Sequence, residues 1–496
     1  MEQDALEVLR LVRSLKNSFA PISRIPPEVL SLIPDYYNTH FVDQGLITLT
    51  HVSHGWREMF ISRSSLWTNL NFTNIERTRA YIQRSKSSPL NISIGSGGIE
   101  AYLNNVLPLV IPHIPGMNSL AIRTVITPDI LRHFHCRAPL LERLDIENTS
   151  PDVQIFDNAL FNGDLSPLRG LSLVGVTTDL PWTNMANLTV FKLSCPRGHE
   201  VTVTQLLDFF ESAPLLHTIN ITNSIPNSSD APPKRIVSLR HLNSLSIGGV
   251  SVHPILTHLH IPTGASLSVR TVFSSQSSPL LDYLLEPPPN FENLSHITML
   301  NFCFKDKHAQ LVGPNGSLRL SSDWDDQVVP SSNMGHQTLH SLGPRILSTT
   351  RRLTISGFVH PSLANIKECL VFRTLSSMND LQTLVLIECK NKLFTSTLNP
   401  ERHPSQLVLC PNLEKIVIYS TLQCNTKGLV GMAREQTLRG AKVSSFMTIG
   451  SGTPLPQTEV LKLRGHAIHI EHRTDIVPLA WDYLPDENNL LFTLGL

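Results

Sequence analysis

One short pattern recurs along this chain and constrains its fold more than any other feature. An apolar residue is followed by two variable ones, a second apolar residue, one variable residue and a third apolar residue. It reads Met117-Leu120-Ile122, Leu141-Leu144-Ile146, Leu168-Leu171-Leu173, Leu188-Phe191-Leu193, Leu216-Ile219-Ile221 and Leu242-Leu245-Ile247. It continues as Leu256-Leu259-Ile261, Ile297-Leu300-Phe302, Leu381-Leu384-Leu386 and Leu413-Ile416-Ile418, with weaker copies at Leu353-Ile355 and Leu461-Leu463. Alternation at the end of each copy is the period of a strand with one face buried. The middle positions of the first six copies lie 24, 27, 20, 28 and 26 residues apart. One such unit cannot bury its own apolar face, so neighbours must stack into a common core. The composition suits this, with 73 leucines and only 16% charged residues, against about 25% in an ordinary soluble protein.

Between the strands lie helical candidates at Pro128–Cys136, Val203–Ser212 and Ile366–Met378. Thr127 and Thr202 are placed to cap the first two, because a hydroxyl can accept a free first-turn amide. Ala138-Pro139 and Ala213-Pro214 then end the helical stretch, since proline disfavours helix in its predecessor. The spacing is similar to the 20–29 residues of a leucine-rich repeat, although the asparagine or cysteine that follows the strand in that repeat is mostly missing. Regularity fails in places. The step of 14 from Leu245 to Leu259 reads as a hairpin, and steps of 41 and 53 follow. Residues 264–350 contain Glu-Pro-Pro-Pro-Asn and Ser-Ser-Asp-Trp-Asp-Asp, so the stack is expected to be broken or decorated there.

Residues 22–67 are different in kind. Pro26-Pro27-Glu28 opens a helix whose Val29, Leu30 and Ile33 share a face, and Leu46, Leu49, Val52, Trp56 and Phe60 form a second helical set. Proline at a helix start costs little because its missing N–H is unpaired there anyway. Pro34 ends the first helix near Ile33, because proline inside a helix costs about 3 kcal/mol. So short a segment cannot hold a large core, and its apolar ridge is expected to dock on a partner. Ahead of it, Ala5, Val8, Leu9, Val12 and Leu15 follow helical spacing; this helix either packs beside the next segment or pairs with another chain.

Ile25-Pro26-Pro27-Glu28-Val29-Leu30, Leu49-Thr50-His51-Val52-Ser53-His54-Gly55-Trp56-Arg57-Glu58 and Leu66-Trp67 occur in that order. Together they resemble an F-box, most closely that of the F-box-like proteins of mushroom-forming fungi. Asn69-Leu70, Arg84-Ser85-Lys86-Ser87-Ser88 and Pro89-Leu90 extend the likeness. The resemblance implies a substrate-recognition subunit of an SCF-type cullin–RING ubiquitin ligase. The F-box would bind the Skp-type adaptor, and through it a cullin, while the C-terminal domain would hold the protein substrate. Carried over by motif, Ile25 and Pro26 match the start that sits on the adaptor, and Val29 and Leu30 match the first helical ridge. Leu49, Val52 and Ser53 match the second contact stretch, and Trp56 and Trp67 match the aromatic anchors. The alternative is a non-catalytic leucine-rich-repeat interaction or scaffold protein whose F-box acts outside a ubiquitin ligase.

The expected architecture is therefore α/β: a small helical F-box, then an irregular leucine-rich-repeat-like α/β solenoid with a curved, mainly parallel sheet. Its parts are an N-terminal amphipathic helix at 1–19, the F-box at 20–68, a connecting segment at 69–116 and degenerate repeats at 117–496.

Other functions find little support. Lys+Arg and Asp+Glu balance at 40 each, and no run of five or six like charges offers the basic field that nucleic acid requires. No apolar run approaches about 18 residues, so no membrane span is expected. MEQDALEVLRLVRSLKNSF is too charged for a signal peptide. Seven cysteines at irregular spacings, with no CxxC, fit reduced thiols in the cytoplasm or nucleus. No nucleophile elbow, phosphate loop, zinc-protease or dinucleotide motif occurs, so no catalytic residue, metal or cofactor is expected. Gly95-Ser96-Gly97-Gly98 reads as a turn. His466, His469 and His472 would fall on alternate faces of a strand, His133, His135 and Cys136 close a helix, and Asp323, Asp325 and Asp326 read as a solvated loop.

Overall fold

The computed structural model describes residues 2–30, 32–34, 45–71, 74–95, 100–150, 154–156, 160–178, 184–195, 201–222, 235–249, 253–273, 297–305, 308–313, 318–324, 347–356, 375–387, 409–419, 431–432, 436, 438, 440, 443–449, 457–465 and 469–473. The chain is mixed α/β with an extensive parallel sheet, and it divides into two compact units, Met1–Pro196 and Arg197–Leu496.

The first unit opens with helical pieces at Glu2–Ser18, Pro21–Arg24, Pro27–Leu30, Gly45–Thr50, His54–Ser62 and Ser64–Trp67. Six strands of one ladder follow, beside a separate short parallel pair, Gln154–Phe156 with Val176–Thr178: β1 (Asn69–Asn71), β2 (Leu90–Ile94), β3 (Met117–Thr124), β4 (Arg143–Asn148), β5 (Gly170–Val174) and β6 (Val190–Ser194). Each pairs in parallel with the next. The register places Leu70, Ile92, Leu120, Leu144, Leu171 and Phe191 in one transverse row. Ile94, Ile122, Ile146, Leu173 and Leu193 form the next, and both rows are buried. The recurring apolar pattern is thus one face of a strand ladder, which begins at Asn69, well before Met117.

A turn precedes many of the rungs. The N–H of the first apolar residue donates to the carbonyl three residues earlier in Met117→Ile114, Leu141→Ala138, Leu168→Leu165 and Leu188→Met185. The same bond recurs in the second unit as Leu216→Ala213, Leu242→Leu239, Leu381→Met378 and Leu413→Cys410. The accepting residue is itself buried each time. The true repeat is therefore one apolar position longer than the pattern read from sequence. Asn148 ties three successive turns together: its Oδ1 accepts from Ile126 N at 3.2 Å and Ser150 N at 3.1 Å, and its Nδ2 donates to Gly175 O at 3.2 Å. Gly175 has φ +70, and a Cβ there would lie 2.6 Å from the Asn148 carbonyl oxygen.

The second unit starts with helix Val203–Ser212, capped by Thr202 in a capping box with Gln205. Its strands are β7 (Thr218–Thr222), β8 (Ser244–Gly249), β9 (Ser266–Phe273), β10 (Met299–Lys305), β11 (His308–Val312), β12 (Leu318–Trp324), β13 (Arg352–Ser356), β14 (Thr383–Ile387), β15 (Lys415–Tyr419), β16 (Ser445–Ile449) and β17 (His469–Arg473). Their spatial order is β7-β8-β9-β12-β11-β10-β13-β14-β15-β16-β17, parallel throughout except that β11 runs antiparallel to both of its neighbours. The region 264–350 is thus decorated: two additional strands enter the ladder, and its parallel sense resumes beyond them.

Several local expectations change. The rung after Leu245 is Leu267 in β9, while Leu259 belongs to a short parallel pair between Val237–Ser238 and Leu259–His260 rather than a hairpin. The helix at Pro128 is capped by Thr127 but stops at Arg132, because His133 and Phe134 already donate to carbonyls three residues back. Leu461 and Leu463 lie in helix Gln457–Arg464, not a strand. Asp323 is within β12 and not in a loop; Asp325 and Asp326 lie outside the described residues, as do Ser96–Gly98, His466 and most of Ile366–Met378. Among the described residues, no helix is long and apolar enough to cross a membrane.

Candidate partner-binding site

The helical opening is held by its aromatic residues. Ser53 caps helix His54–Ser62, its Oγ accepting from Trp56 N at 3.3 Å. One turn on, the Phe60 ring meets Trp56 edge-on with centroids 5.5 Å apart. Trp67 is fully buried, and its Nε1 donates to Phe60 O at 2.9 Å. The Tyr81 ring stands perpendicular to Trp67 at 4.9 Å, and the Arg84 guanidinium lies over the Trp67 ring at 4.3 Å. Both partners come from helix Ile75–Ser85, so Trp67 fastens the helical segment to the start of the ladder. An indole buried with its N–H satisfied and its faces packed is worth several kcal/mol, about 3–5 when truncated to alanine. Arg57 adds a bond from Nε to Thr50 O at 3.0 Å, joining helices Gly45–Thr50 and His54–Ser62.

The nine residues singled out by sequence separate into two groups. Leu30, Leu49, Trp56 and Trp67 point inward, each no more than 7% exposed. Val29 and Val52 are exposed at 50% and 49%, Pro26 is exposed, and Ile25 and Ser53 are half-buried. The inward group keeps the helices together; the outward group is what a partner would meet. Sequence reasoning missed Leu32, which is 61% exposed. Its N–H donates to Val29 O at 3.1 Å in the turn that ends helix Pro27–Leu30. The first helix thus ends at Leu30, earlier than Pro34 led one to expect, and Ile33 and buried Pro34 are themselves helical. Leu32 lies three residues after Val29 and shares its outward side, a match the helical spacing could have shown.

A second surface belongs to the ladder. On the strand face opposite the leucine rows, Asn69, Asn91, Ser119, Arg143, Gly170 and Val190 form one register row across the first unit. Ser119 Oγ donates to Asn91 Oδ1 at 2.9 Å and Asn91 Nδ2 to Asn69 Oδ1 at 2.9 Å. A cleft of about 490 Å³ opens there, bordered also by Asn118, Glu142, Arg169 and Thr189. Arg169 pairs with Glu142 at 3.5 Å, whereas Arg143 has no ion-pair partner among the described residues. In the second unit the same face carries Thr218, Ser244 and Ser266 in one row and Asn220, Ser246, Ser268 and Arg319 in the next. At β14 and β15 the face changes character: Val385, Ile387 and Val417 are buried there, with Tyr419 packed against them.

Among the described residues, no three or more histidine, cysteine or carboxylate side chains gather to hold a metal ion. The raised pKa of Arg123 follows from its hydrogen bond to Asp145 at 2.8 Å, and that of Cys136 from burial. No protein-family model matches the chain, and no curated protein matches it.

Proposed function

We propose that the chain is the substrate-recognition subunit of an SCF-type cullin–RING ubiquitin ligase. Its F-box, residues 20–68, takes the Skp-type adaptor, and its leucine-rich-repeat-like solenoid holds a protein substrate. The observation that carries the reading is the sorting of the motif residues. Three motif pieces fold as short consecutive helices whose tryptophans are internal, leaving Pro26, Val29, Leu32 and Val52 outward. A large, mainly parallel sheet whose second face carries small polar and charged side chains follows them. The chain supplies no catalytic group in this role. It acts by holding the target near a charged conjugating enzyme, which raises effective concentration.

The test is co-purification of the full chain with a Skp-type adaptor, comparing wild type with Val29→Asp/Val52→Asp. These outward valines can be charged without opening the core, so the variant should keep its thermal midpoint and lose adaptor binding at least tenfold. Absence of adaptor from the wild-type sample overturns the proposal. The second reading, an interaction or scaffold protein outside a ligase, is favoured by one observation: Leu30, Leu49, Trp56 and Trp67 are all committed to internal packing. It expects the double variant to behave like wild type.

A further inference from the structure

We infer that helix Glu2–Ser18 pairs with the same helix of a second copy of this chain, in antiparallel orientation. The helix carries large apolar side chains in water: Val8 is 59% exposed, Leu9 44%, Leu11 66% and Val12 57%. Surface apolar residues scattered singly are ordinary, but a continuous stripe marks a contact surface. At 17 residues the helix is about 25 Å long, only a little beyond the ~12–15 residues below which even an alanine-rich helix is marginal in water. Its stability asks for a partner along the stripe.

The spacing says what shape the partner has. Ala5, Val8, Val12, Leu15 and Phe19 alternate three and four residues apart, the a/d seam of a two-helix coiled coil. Leu9 and Leu11 flank that seam on its two sides and widen it. The same seam on a second copy would be its complement in size and polarity.

Charge says which copy and which direction. Glu2, Asp4 and Glu7 occupy the first half of the helix, while Arg10, Arg13 and Lys16 occupy the second. A parallel pair sets acid against acid and base against base. An antiparallel pair sets the acidic half of each copy against the basic half of the other, and it also opposes the helix dipoles. In that register Val8 meets Val12 of the second copy and Ala5 meets Leu15. Segregated charge also suits a single helix's own dipole; the exposed seam is what calls for a second helix. Two heptads make a short interface, so the dimer is reversible and concentration-dependent. The inference does not depend on the adaptor reading.

Sedimentation velocity on the full chain tests it. Wild type should move from monomer to dimer as concentration rises, and Val8→Asp/Val12→Asp should remain monomeric with an unchanged thermal midpoint. Orientation is read by oxidative crosslinking, with the unmodified protein as baseline. A mixture of Ala5→Cys and Leu15→Cys copies should crosslink, and Ala5→Cys alone should not. A wild-type chain that is monomeric throughout, a dimer that survives the double aspartate variant, or crosslinking of Ala5→Cys with itself each overturns the inference. So does a seam covered within one chain, which would lower the thermal midpoint of the double variant without changing its mass.

Discussion

Cys410 sits at the buried first position of a turn, where other rungs place Ala138, Leu165, Met185, Ala213, Leu239 or Met378. It is there as a small apolar filler, as free cysteines in cores usually are. Its Sγ donates to Leu375 O at 3.3 Å, and burial pushes the thiol up from near 9 to about 12. The sign follows from the thiolate being the form that burial disfavours. The folded chain holds this proton more tightly than the unfolded chain, so the contribution is complete below about pH 9 and disappears as pH rises towards 12. Two outcomes are expected. A thiol reagent at pH 8 should label half-buried Cys136 and leave Cys410 untouched. Between pH 9 and 11 the denaturant midpoint of the wild type should fall more steeply than that of Cys410→Ala, and equal slopes would refute this account. The sequence marks the cysteines as reduced thiols, but not this one as a turn residue. The buried position three residues ahead of each rung accepts alanine, leucine, methionine or cysteine alike, so it leaves no fixed letter to find.

At the level of elements, most full copies of the pattern are ladder rungs, because strand alternation and turn occupancy together demand the spacing; Leu256-Leu259-Ile261 keeps it outside the ladder. Rungs that lack the leading residue show weakly, as Leu353-Ile355 does, or not at all. Leu267 follows Gly264 and Ala265, and β1 and β2 offer only Leu70 and Leu90-Ile92-Ile94. Helix Val203–Ser212 was legible to the residue, since its cap and its proline stop are both chemical signals. The split of the helical opening into inward and outward residues was not, because helical spacing alone gives Leu30 and Val29 equal claims on the core. The two-strand insertion gives an element-scale prediction. β10 runs in the same sense as β12 and already pairs with β13, so it can take the place of β12 beside β9. Excision of residues 306–324 should therefore leave a cooperative thermal transition and native-like far-UV dichroism. A chain without a transition would show that the insertion holds the ladder together.

Across the molecule, equal numbers of acidic and basic residues leave no net charge to steer a partner, so any selectivity has to come from local surfaces such as the second face of the strands. In the first unit that face carries small polar side chains beside charged ones such as Arg143, Asp145 and Lys192; in the second it is polar at β7–β9 and apolar and buried at β14–β15. The sequence pattern reports only the leucine face, because outward positions vary without disturbing the core. The reversed strand has a further consequence, for the order in which structure forms. Parallel rungs must each wait for 15 or more intervening residues to be brought round, whereas β10, β11 and β12 are neighbours in sequence and close as a meander. Loop closure costs more as loops lengthen, and local pairings form fastest. In pulse-labelled hydrogen exchange during refolding, amides of Phe304 and Gln310 should gain protection before those of Leu353 and Leu384. A ladder that must otherwise grow by slow, distant encounters thus carries its own early foothold in the very stretch that interrupts its pattern.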